Sequence, residues 1–429
     1  MKSTGSQGTV LTHWERAVAQ LPDHRRRRLG IIVGVHGYRW QDSVYVHASI
    51  GRIVDQVAQH FRSVTLCIPL TEGQPESSAD HRIAAAPMQV EAVPGYRNSM
   101  QAMAQLPRIW AAYWRTIRAS DALLVRGIGT GVLAIHLPAR MLGRRVVQWM
   151  VGDPVALLRT HRRRSAWRDR LSLLGSQACQ SAGQVCIRFR NVVSLVNGEA
   201  LGRIYASPRT FVTASSTLRQ AEIQRRMDTC TGSVVRILFA SFLRPEKGAE
   251  YLLDALGRLR TGRAWELVVA GGQTDIPAYR ARLEQLIRAG GLADRIQLAG
   301  HRRYGDELFA LMRSCDLLVL PTLSEGTPHV LIDARGNGLP VIASRVGGVP
   351  TMIKHEVDGL LVPPKDPAAL AIAIDRVIED EALRRRLVAE GLKYAQQHTV
   401  EAFAAEVGWA ALCPLGPTGR ASRPQAVDG

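Results

Sequence analysis

The 429-residue sequence lacks the features of a membrane-spanning, secreted or disulfide-bonded protein. No uninterrupted apolar run reaches the roughly 18–20 residues that a transmembrane helix needs. The N-terminal segment contains no apolar core of about 7–15 residues, so no secretory signal is predicted. The six cysteines form no Cys-x-x-Cys pair and are too sparse for a disulfide framework, which predicts reduced, mostly buried thiols in the cytoplasm. The twelve histidines show no metal-ligand spacing with cysteine, so no metal site is predicted.

Lysine is also scarce, because only 5 of the 55 basic residues are Lys. Residues 1–212 carry 28 Lys and Arg against 12 Asp and Glu, whereas residues 213–429 carry 27 against 25. The excess in the first half includes arginine runs at 25–28 and 162–164. A basic half of this kind favours a polyanionic neighbour, such as an anionic membrane, a phosphorylated substrate or nucleic acid. A solvated basic surface is the alternative interpretation.

Apolar periodicity in the first half predicts alternating strands and helices. The predicted strands are 30–35, 64–70, 121–126, 145–151 and a region around 184–196. The predicted helices lie near 50–61, 97–118, 130–142 and 159–178, with a loop at 71–95. Strand, helix and strand in this order imply right-handed parallel units, and therefore a doubly wound α/β domain over residues 26–212. Trp110 and Trp114 are four residues apart and are interpreted as core, with a lipid-facing site as the alternative.

A Thr/Ser-rich, basic stretch at 213–233 is predicted to be a linker, after which the alternation restarts in a second domain, 234–395. Its predicted strands are 234–241, 266–272, 295–300, 316–321 and 340–344. Its predicted helices lie near 252–259, 278–290, 305–314 and 328–337. A helix at 396–413 is expected to cross back to the first domain, and residues 1–25 and 414–429 are expected to be loose. Two such domains form a cleft, and open α/β sheets bind ligands at the carboxyl ends of their strands.

Three segments of the second half carry recognisable chemistry. Lys247 and Gly248 end a strand-to-helix turn, where a lysine beside unpaired N–H groups suits a diphosphate. Glu325, Gly326 and Thr327 lead into a helix that Pro328 is predicted to begin, so free N–H groups there can bind an anion. Asp333 lies two turns along this helix and is expected to face the same side as Glu325. Gly347 and Gly348 have no side chains, so they let the backbone pass close to a ligand or a neighbouring strand.

The segments PEKG, VVAGG, CDLLVLPTLSEGTPHVLIDARGNGLPVIASRVGGVPTMI and DGLLVPPKD occur in this order in the second half. They resemble the retaining glycosyltransferases of family 4. The resemblance implies an α/β protein of the GT-B fold, in which two Rossmann-like doubly wound domains face each other across a cleft. The first half resembles the family only in its α/β alternation.

The resemblance also implies roles for individual residues. Lys247 would bind the donor diphosphate, Glu325 would contact the transferred sugar, and Asp333, where the family has Glu, would hold the nucleotide ribose. Lys247 and Glu325 are the implied catalytic residues, and neither a metal nor a cofactor is expected. The implied donor-binding set is Ser241, Arg244, Lys247, Gly271, Gly326, Thr327, Pro328, Val330, Leu331 and Asp333.

The sequence departs from the family pattern at several positions. Ser241 and Phe242 stand where the family has Gly-Arg, so the usual arginine is missing and Arg244 is the candidate replacement. The family's Gly-Gly acceptor loop after the first strand is replaced by His36, Gly37 and Tyr38. Asp153 lies in the region where the family frequently has a histidine. The predicted acceptor side consists of His36, Gly37, Tyr38 and Asp153.

The sequence therefore predicts a retaining hexosyltransferase-type enzyme that moves a sugar from a UDP- or GDP-sugar to a lipid-linked or glycan acceptor. Its expected place is the cytoplasmic face of the plasma membrane, peripherally bound to anionic lipid, in cell-surface polysaccharide synthesis. A degenerate transferase remains open, as does another GT-B enzyme, although the Glu325/Asp333 spacing disfavours an epimerase and no pyridoxal lysine motif suggests a phosphorylase. Gly127, Gly129 and Gly131 lack the spacing of a dinucleotide loop. A nucleic-acid-binding protein is suggested by charge alone, and no nucleic acid is expected because aromatics do not interleave with the cations.

Overall fold

The computed structural model describes residues 16–18, 26–76, 78–85, 87–95, 101, 104–129, 131–153, 155, 158, 166–271 and 277–414. Within them, two mainly parallel sheets form two α/β domains. The strands are β1 (Arg28–Ile32), β2 (Gly37–Trp40), β3 (Ser43–Val46), β4 (Ser63–Glu72), β5 (His81–Arg82), β6 (Met88–Pro94), β7 (Ala122–Arg126), β8 (Arg145–Met150), β9 (Val192–Asn197), β10 (Thr210–Thr213), β11 (Val234–Ala240), β12 (Ala264–Ala270), β13 (Ile296–Gly300), β14 (Leu317–Leu320), β15 (Val341–Ser344) and β16 (Leu360–Val362).

Helices cover both sheets and complete the domains. They are α1 (Ala48–Ala58), α2 (Leu106–Ala119), α3 (Val132–Met141), α4 (Ala166–Cys186), α5 (Glu199–Ile204), α6 (Ala249–Leu256), α7 (Pro277–Ala289), α8 (Asp306–Arg313), α9 (His329–Gly336), α10 (Val349–Met352), α11 (Pro367–Glu379), α12 (Glu381–Gln397) and α13 (Val400–Leu412). Among the described residues, no helix is long and apolar enough to cross a membrane.

The second sheet has the strand order β13-β12-β11-β14-β15-β16, and every neighbouring pair is parallel. This is the doubly wound order, in which successive strands are added on one side of β11 and then, from β14 onward, on its other side. β14 and β15 are buried at every position, as expected for central strands covered on both faces. The switch point between β11 and β14 therefore places the loops after these two strands side by side.

The first sheet has ten strands, and its parallel part runs β10-β9-β8-β7-β1-β4-β2, with β6 also parallel to β4. Its core includes Leu66, Trp149 and Leu195. Both sheets have Rossmann-like α/β alternation, which confirms the predicted fold class of two doubly wound domains.

Three predictions for the first half are wrong. The predicted loop 71–95 contains β5 and β6, and β6 pairs in parallel with β4 from Val64↔Met88 to Leu70↔Pro94. Hydrophobic periodicity missed β6 because only one of its seven residues is buried. Residues 184–186 belong to α4, not to a strand. Trp110 and Trp114 are exposed on α2, so they are not core residues.

The last helix, α13, packs against the first sheet. Phe403 lies with its ring centroid 5.0 Å from that of Trp149, and Trp409 lies 5.2 Å from Phe211. Thr399 caps the helix by accepting a hydrogen bond from the N–H of Ala402. The chain thus crosses between the domains twice, once near 213–233 and once near 397–400.

The described ranges leave out most of both chain ends. The predictions for 1–25 and 414–429 therefore fall almost wholly outside them, as do Arg25 and the arginines at 162–164.

Candidate functional site

Two loops meet where β11 and β14 end, and backbone contacts fix them together. Gly248, in a left-handed conformation with φ +69°, ends the turn after β11 and packs against the carbonyl of Pro321. A Cβ atom at Gly248 would overlap this carbonyl oxygen, so only glycine fits. The loop after β15 does the same on the other side, because added Cβ atoms at Gly347 and Gly348 would overlap the carbonyl oxygens of Glu325 and Gly326.

This packing brings the two predicted catalytic residues into direct contact. The Lys247 ammonium donates a hydrogen bond to the Glu325 carboxylate. Both side chains are mostly buried, with exposures of 17% and 13%. An ion pair shielded from water in this way interacts more strongly than a surface pair. Without a ligand, each residue therefore neutralises the other.

Unused hydrogen-bond donors surround this pair at the start of α9. In the described part of the chain, the N–H groups of Gly326, Thr327, His329 and Val330 have no acceptor. The Thr327 hydroxyl is also without a partner, although the residue is only 8% exposed. Pro328 is the N-cap of α9, so the helix begins one residue later than predicted. Free N–H groups and an unpaired hydroxyl at a helix N-terminus form a site for an anion.

Leu331 differs from the rest of the predicted donor set. Its side chain is fully buried in the second-domain core, and its N–H donates to the carbonyl of Pro328. Both groups are therefore already engaged within the protein, and the role of Leu331 in donor binding stays a prediction. Val330, one position earlier, is partly exposed and keeps a free N–H.

Asp333 lies beneath Tyr304 and not beside Glu325. It is 2% exposed and accepts a hydrogen bond of 2.7 Å from the Tyr304 hydroxyl. Burial raises the pKa of Asp333 to about 7, while the Tyr304 hydrogen bond and Arg52 oppose the shift. Arg52, from α1 of the first domain, lies 4.6 Å from the centroid of the Tyr304 ring and donates to Glu222. The position predicted to hold the ribose is therefore closed by groups from both domains in this structure.

The remaining donor-side residues line the turn after β11. Arg244 lies over the Phe242 ring at 5.3 Å and 3.9 Å from Glu246, and it is half-exposed. Gly271 has φ +142°, and a Cβ atom there would overlap the Ser241 carbonyl oxygen. Ser241 and Gly271 therefore hold the ends of β11 and β12 close together. Gly271 also borders an apolar cavity of about 360 Å³ between β11–β13 and the helices α6 and α7.

On the acceptor side, the structure replaces the predicted loop by a hairpin. Gly37 and Tyr38 belong to β2, which turns through Gln41 and Asp42 into β3. Both turn residues have positive φ, as a two-residue type I′ hairpin requires. Exposed His36 precedes this hairpin, while the Asp153 carboxylate accepts a hydrogen bond of 2.9 Å from the N–H of Val155 after β8. The four residues thus follow the ends of two different first-sheet strands.

First-domain residues that sequence reasoning missed also lie next to the second domain. The carbonyl oxygen of Val151 would be 3.1 Å from a Cβ atom at Gly326. Arg126 ends β7, and burial, followed by the charges of Arg126 and His47, lowers the pKa of His329 at the start of α9. The one sequence signal for Arg126 is a charged residue directly after the apolar strand ALLV. Among the described residues, no group of three His, Cys, Asp or Glu side chains is placed to hold a metal ion.

Residues 232–394 match the family described as "Glycosyl transferases group 1". An uncharacterized glycosyltransferase, MJ1607, of Methanocaldococcus jannaschii is 37% identical over 152 residues, which are 35% of this chain and 38% of that protein. The D-inositol 3-phosphate glycosyltransferase of Salinispora tropica is 33% identical over 196 residues, which are 44% of this chain and 39% of that protein. The match thus spans less than half the length of these relatives.

Solved structures match over almost the whole chain at low identity. Anabaena Alr3699/HepE, in complex with UDP and glucose, is 17% identical with a TM-score of 0.65, covering 89% of this chain and 99% of that one. WaaG, a glycosyltransferase involved in lipopolysaccharide biosynthesis, is 14% identical with a TM-score of 0.64, covering 90% and 100%. Identity at this level shows a shared fold: two facing α/β domains.

Proposed function

Because residues 232–394 form a group 1 glycosyltransferase domain and the whole chain has the GT-B fold, we propose that the protein transfers a sugar from a nucleotide-sugar donor. One observation carries the proposal: the Lys247–Glu325 pair lies beside the free N–H groups at the start of α9. This arrangement offers a cation and aligned dipoles to a diphosphate, and a carboxylate to sugar hydroxyls.

In the proposed reaction, the donor diphosphate displaces Glu325 from Lys247. Lys247 and the α9 N-terminus then stabilise the negative charge that develops on the departing nucleoside diphosphate. Glu325, released from its partner, accepts hydrogen bonds from the transferred sugar. The acceptor hydroxyl attacks the anomeric carbon from the face that the diphosphate leaves, and its proton passes to the departing diphosphate, so the configuration at the anomeric carbon is retained. Neutralisation by Lys247 and backbone dipoles needs neither a metal nor a cofactor.

The donor is a UDP- or GDP-sugar in this proposal, and Asp333 holds the ribose once Tyr304 moves aside. The UDP bound by the Anabaena protein supports a nucleotide donor. Ser241, Arg244 and Gly271 complete the donor wall after β11 and β12.

For the acceptor, we propose a lipid-linked or glycan substrate of cell-surface polysaccharide synthesis, reached at the cytoplasmic face of an anionic membrane. Support comes from α2 and α3, which present Trp110 and Trp114, exposed by 48% and 43%, beside exposed Leu133 and Leu137. The exposed arginines of α2 surround them, and the Arg118 guanidinium lies 6.0 Å from the Trp114 ring centroid. Aromatic rings flanked by cations are suited to an anionic lipid interface.

A panel of nucleotide sugars, scored by thermal shift and by turnover, tests the donor site. A donor at 100 times its dissociation constant should stabilise the protein by about 2.7 kcal/mol. Lys247→Ala should abolish this shift, and Glu325→Gln should lower kcat by about 10²–10³-fold, since each removes a contact to ligand charge. Lys393→Ala is the matched control, because Lys393 pairs with Glu390 on exposed α12. A panel without any stabilising nucleotide sugar contradicts the proposed function, and near wild-type turnover of either variant contradicts the assigned site.

A further inference from the structure

Arg126 is a partly buried cation without a counter-ion. It is the last residue of β7, its guanidinium lies 5.3 Å from the Trp149 ring centroid, and its Nε is buried without a hydrogen-bond partner. No described carboxylate forms an ion pair with it, and burial lowers its pKa with no acidic group opposing the shift. Burying a charge without compensation costs free energy. The missing partner is therefore expected to come from outside the chain.

The backbone around Arg126 is held rigidly. The N–H of Gly127 donates to the carbonyl of Trp149 at 2.7 Å, and Gln148 donates to the carbonyls of Val125 and Gly127. These bonds tie the end of β7 to β8, so the guanidinium is carried by a fixed turn. A preorganised donor of this kind binds a ligand with little loss of conformational entropy.

The surroundings of Arg126 are also short of negative charge. His47, the N-cap of α1, and His329, the first residue of α9, are electrostatically coupled to it, and the three come from three different elements of both domains. The carboxylate acting on His47 is Asp80, which accepts a hydrogen bond of 3.1 Å from the N–H of Ala48. Burial lowers the pKa of both histidines, and neither supplies a negative charge: His47 Nδ1 accepts a hydrogen bond from the N–H of Ser49, and the His329 Nε2 lies 3.3 Å from the Ser215 hydroxyl.

Resting on the proposed glycosyl transfer, we propose that Arg126 binds a phosphate group of the acceptor. The donor diphosphate lies at Lys247 on the second domain, whereas Arg126 belongs to the first-domain wall of the cleft. The guanidinium offers a planar fork that suits phosphate oxygens. The acceptor class is thus a phosphorylated sugar or polyol, or a lipid-linked phosphate, and Arg126 fixes which acceptors enter.

Inorganic phosphate is the probe, titrated into the full-length protein with UDP or GDP at saturation, so that the donor site is already filled. Wild type should bind phosphate under these conditions. Arg126→Gln should weaken phosphate binding at least 10-fold, while its affinity for the nucleoside diphosphate changes less than 2-fold. Arg126→Lys, which keeps the charge but loses the fork, should lie in between. Arg203→Gln, at an exposed arginine of α5 in the first domain that pairs with Glu199, is the matched control and should leave both affinities unchanged.

The outcomes separate the two proposals. Unchanged phosphate binding in Arg126→Gln overturns the acceptor site, and so does a loss of nucleoside diphosphate binding as large as that of Lys247→Ala, because Arg126 would then serve the donor. Absence of any nucleoside diphosphate binding in wild type contradicts the proposed function instead. In that case the phosphate titration is run without nucleotide and still tests Arg126. A thermal melt of each variant without ligand separates loss of binding from loss of folding.

Discussion

Glu325 and Asp333, the two carboxylates predicted to contact the donor, are in different chemical environments. Glu325 is paired with Lys247 and keeps some solvent access, whereas Asp333 is fully enclosed and bonded to the neutral hydroxyl of Tyr304. Their spacing correctly indicated one loop and the helix that follows it. It could not indicate Tyr304, since this residue comes from the turn before α8, 29 positions away in the chain. The partners of a side chain, unlike its position on a helix, depend on the tertiary fold.

Asp333 should make the stability of the protein depend on pH. Burial raises its pKa from 3.8 to about 7, so the folded state holds this proton more tightly than the unfolded state. The contribution of Asp333 to the free energy of unfolding is therefore present at low pH and is lost as the pH rises from about 4 to about 7. Asp333→Asn keeps an acceptor for Tyr304 but cannot ionise, so its free energy of unfolding should fall less over this window. Urea unfolding at a series of pH values measures the difference, and parallel curves for the two proteins would contradict it.

At the scale of elements, the predicted strands of the second domain lie within a few residues of β11–β15, because most of these are buried apolar runs such as LLVL of β14, whereas β16 was not predicted. The first domain was less so. β6 is mostly half-exposed, and the β2–β3 hairpin turns through Gln41 and Asp42 without the glycine that usually signals such a turn. The close approach of backbone at Gly347 was anticipated, and the structure identifies its partner as the Glu325 loop.

Gly347→Ala should disrupt the site through the backbone alone. The residue has φ +52°, which costs an L-residue about 1–2 kcal/mol, and the new Cβ would overlap the Glu325 carbonyl oxygen. We expect a loss of unfolding free energy of at least about 2 kcal/mol together with a loss of donor affinity. Gly262→Ala is the matched control, because nothing lies within 4 Å of its Cβ position. Urea unfolding and nucleoside diphosphate titration report the two effects, and a Gly347→Ala protein that matches the control in both would refute the assigned packing.

At the scale of the whole molecule, the parts of the site that come from the first domain could not be read from the sequence. Arg52 donates a hydrogen bond to Glu222 across 170 positions, and the charge of Arg126 in the first domain acts on His329 in the second. Each domain was interpreted separately from its sequence, so donor-side and acceptor-side residues were predicted but not Arg52 or Arg126. The charge asymmetry was visible in the composition, but its combination with exposed Trp110 and Trp114 required the fold.

The exposed face of α2 should bind anionic membranes. Trp110→Ala with Trp114→Ala removes the aromatic anchors, and Arg115→Gln with Arg118→Gln removes two exposed cations of the same helix. Each cation near an anionic surface contributes about 1 kcal/mol, so both double variants should sediment less with vesicles of anionic lipid. Wild-type binding should decline with salt, since the attraction fades within a Debye length of ~8–10 Å. Arg258→Gln on the second domain is the control. Binding that is indifferent to salt, or equal for wild type and both double variants, would contradict the membrane proposal.

Because α13 returns to the first domain, the chain joins the two domains at two segments, and these segments lie side by side. The N–H of Val400 donates to the carbonyl of Leu218 at 2.8 Å, and the N–H of Gln220 donates to Glu401 at 3.1 Å, so the outgoing and returning segments are bonded to each other. We therefore expect that a rotation of one domain relative to the other, which widens the cleft, has its hinge at these two hydrogen-bonded segments. Lengthening one crossing alone would leave the other to hold the hinge. A protease cut in residues 213–233 would not release either domain, because the second crossing still joins them.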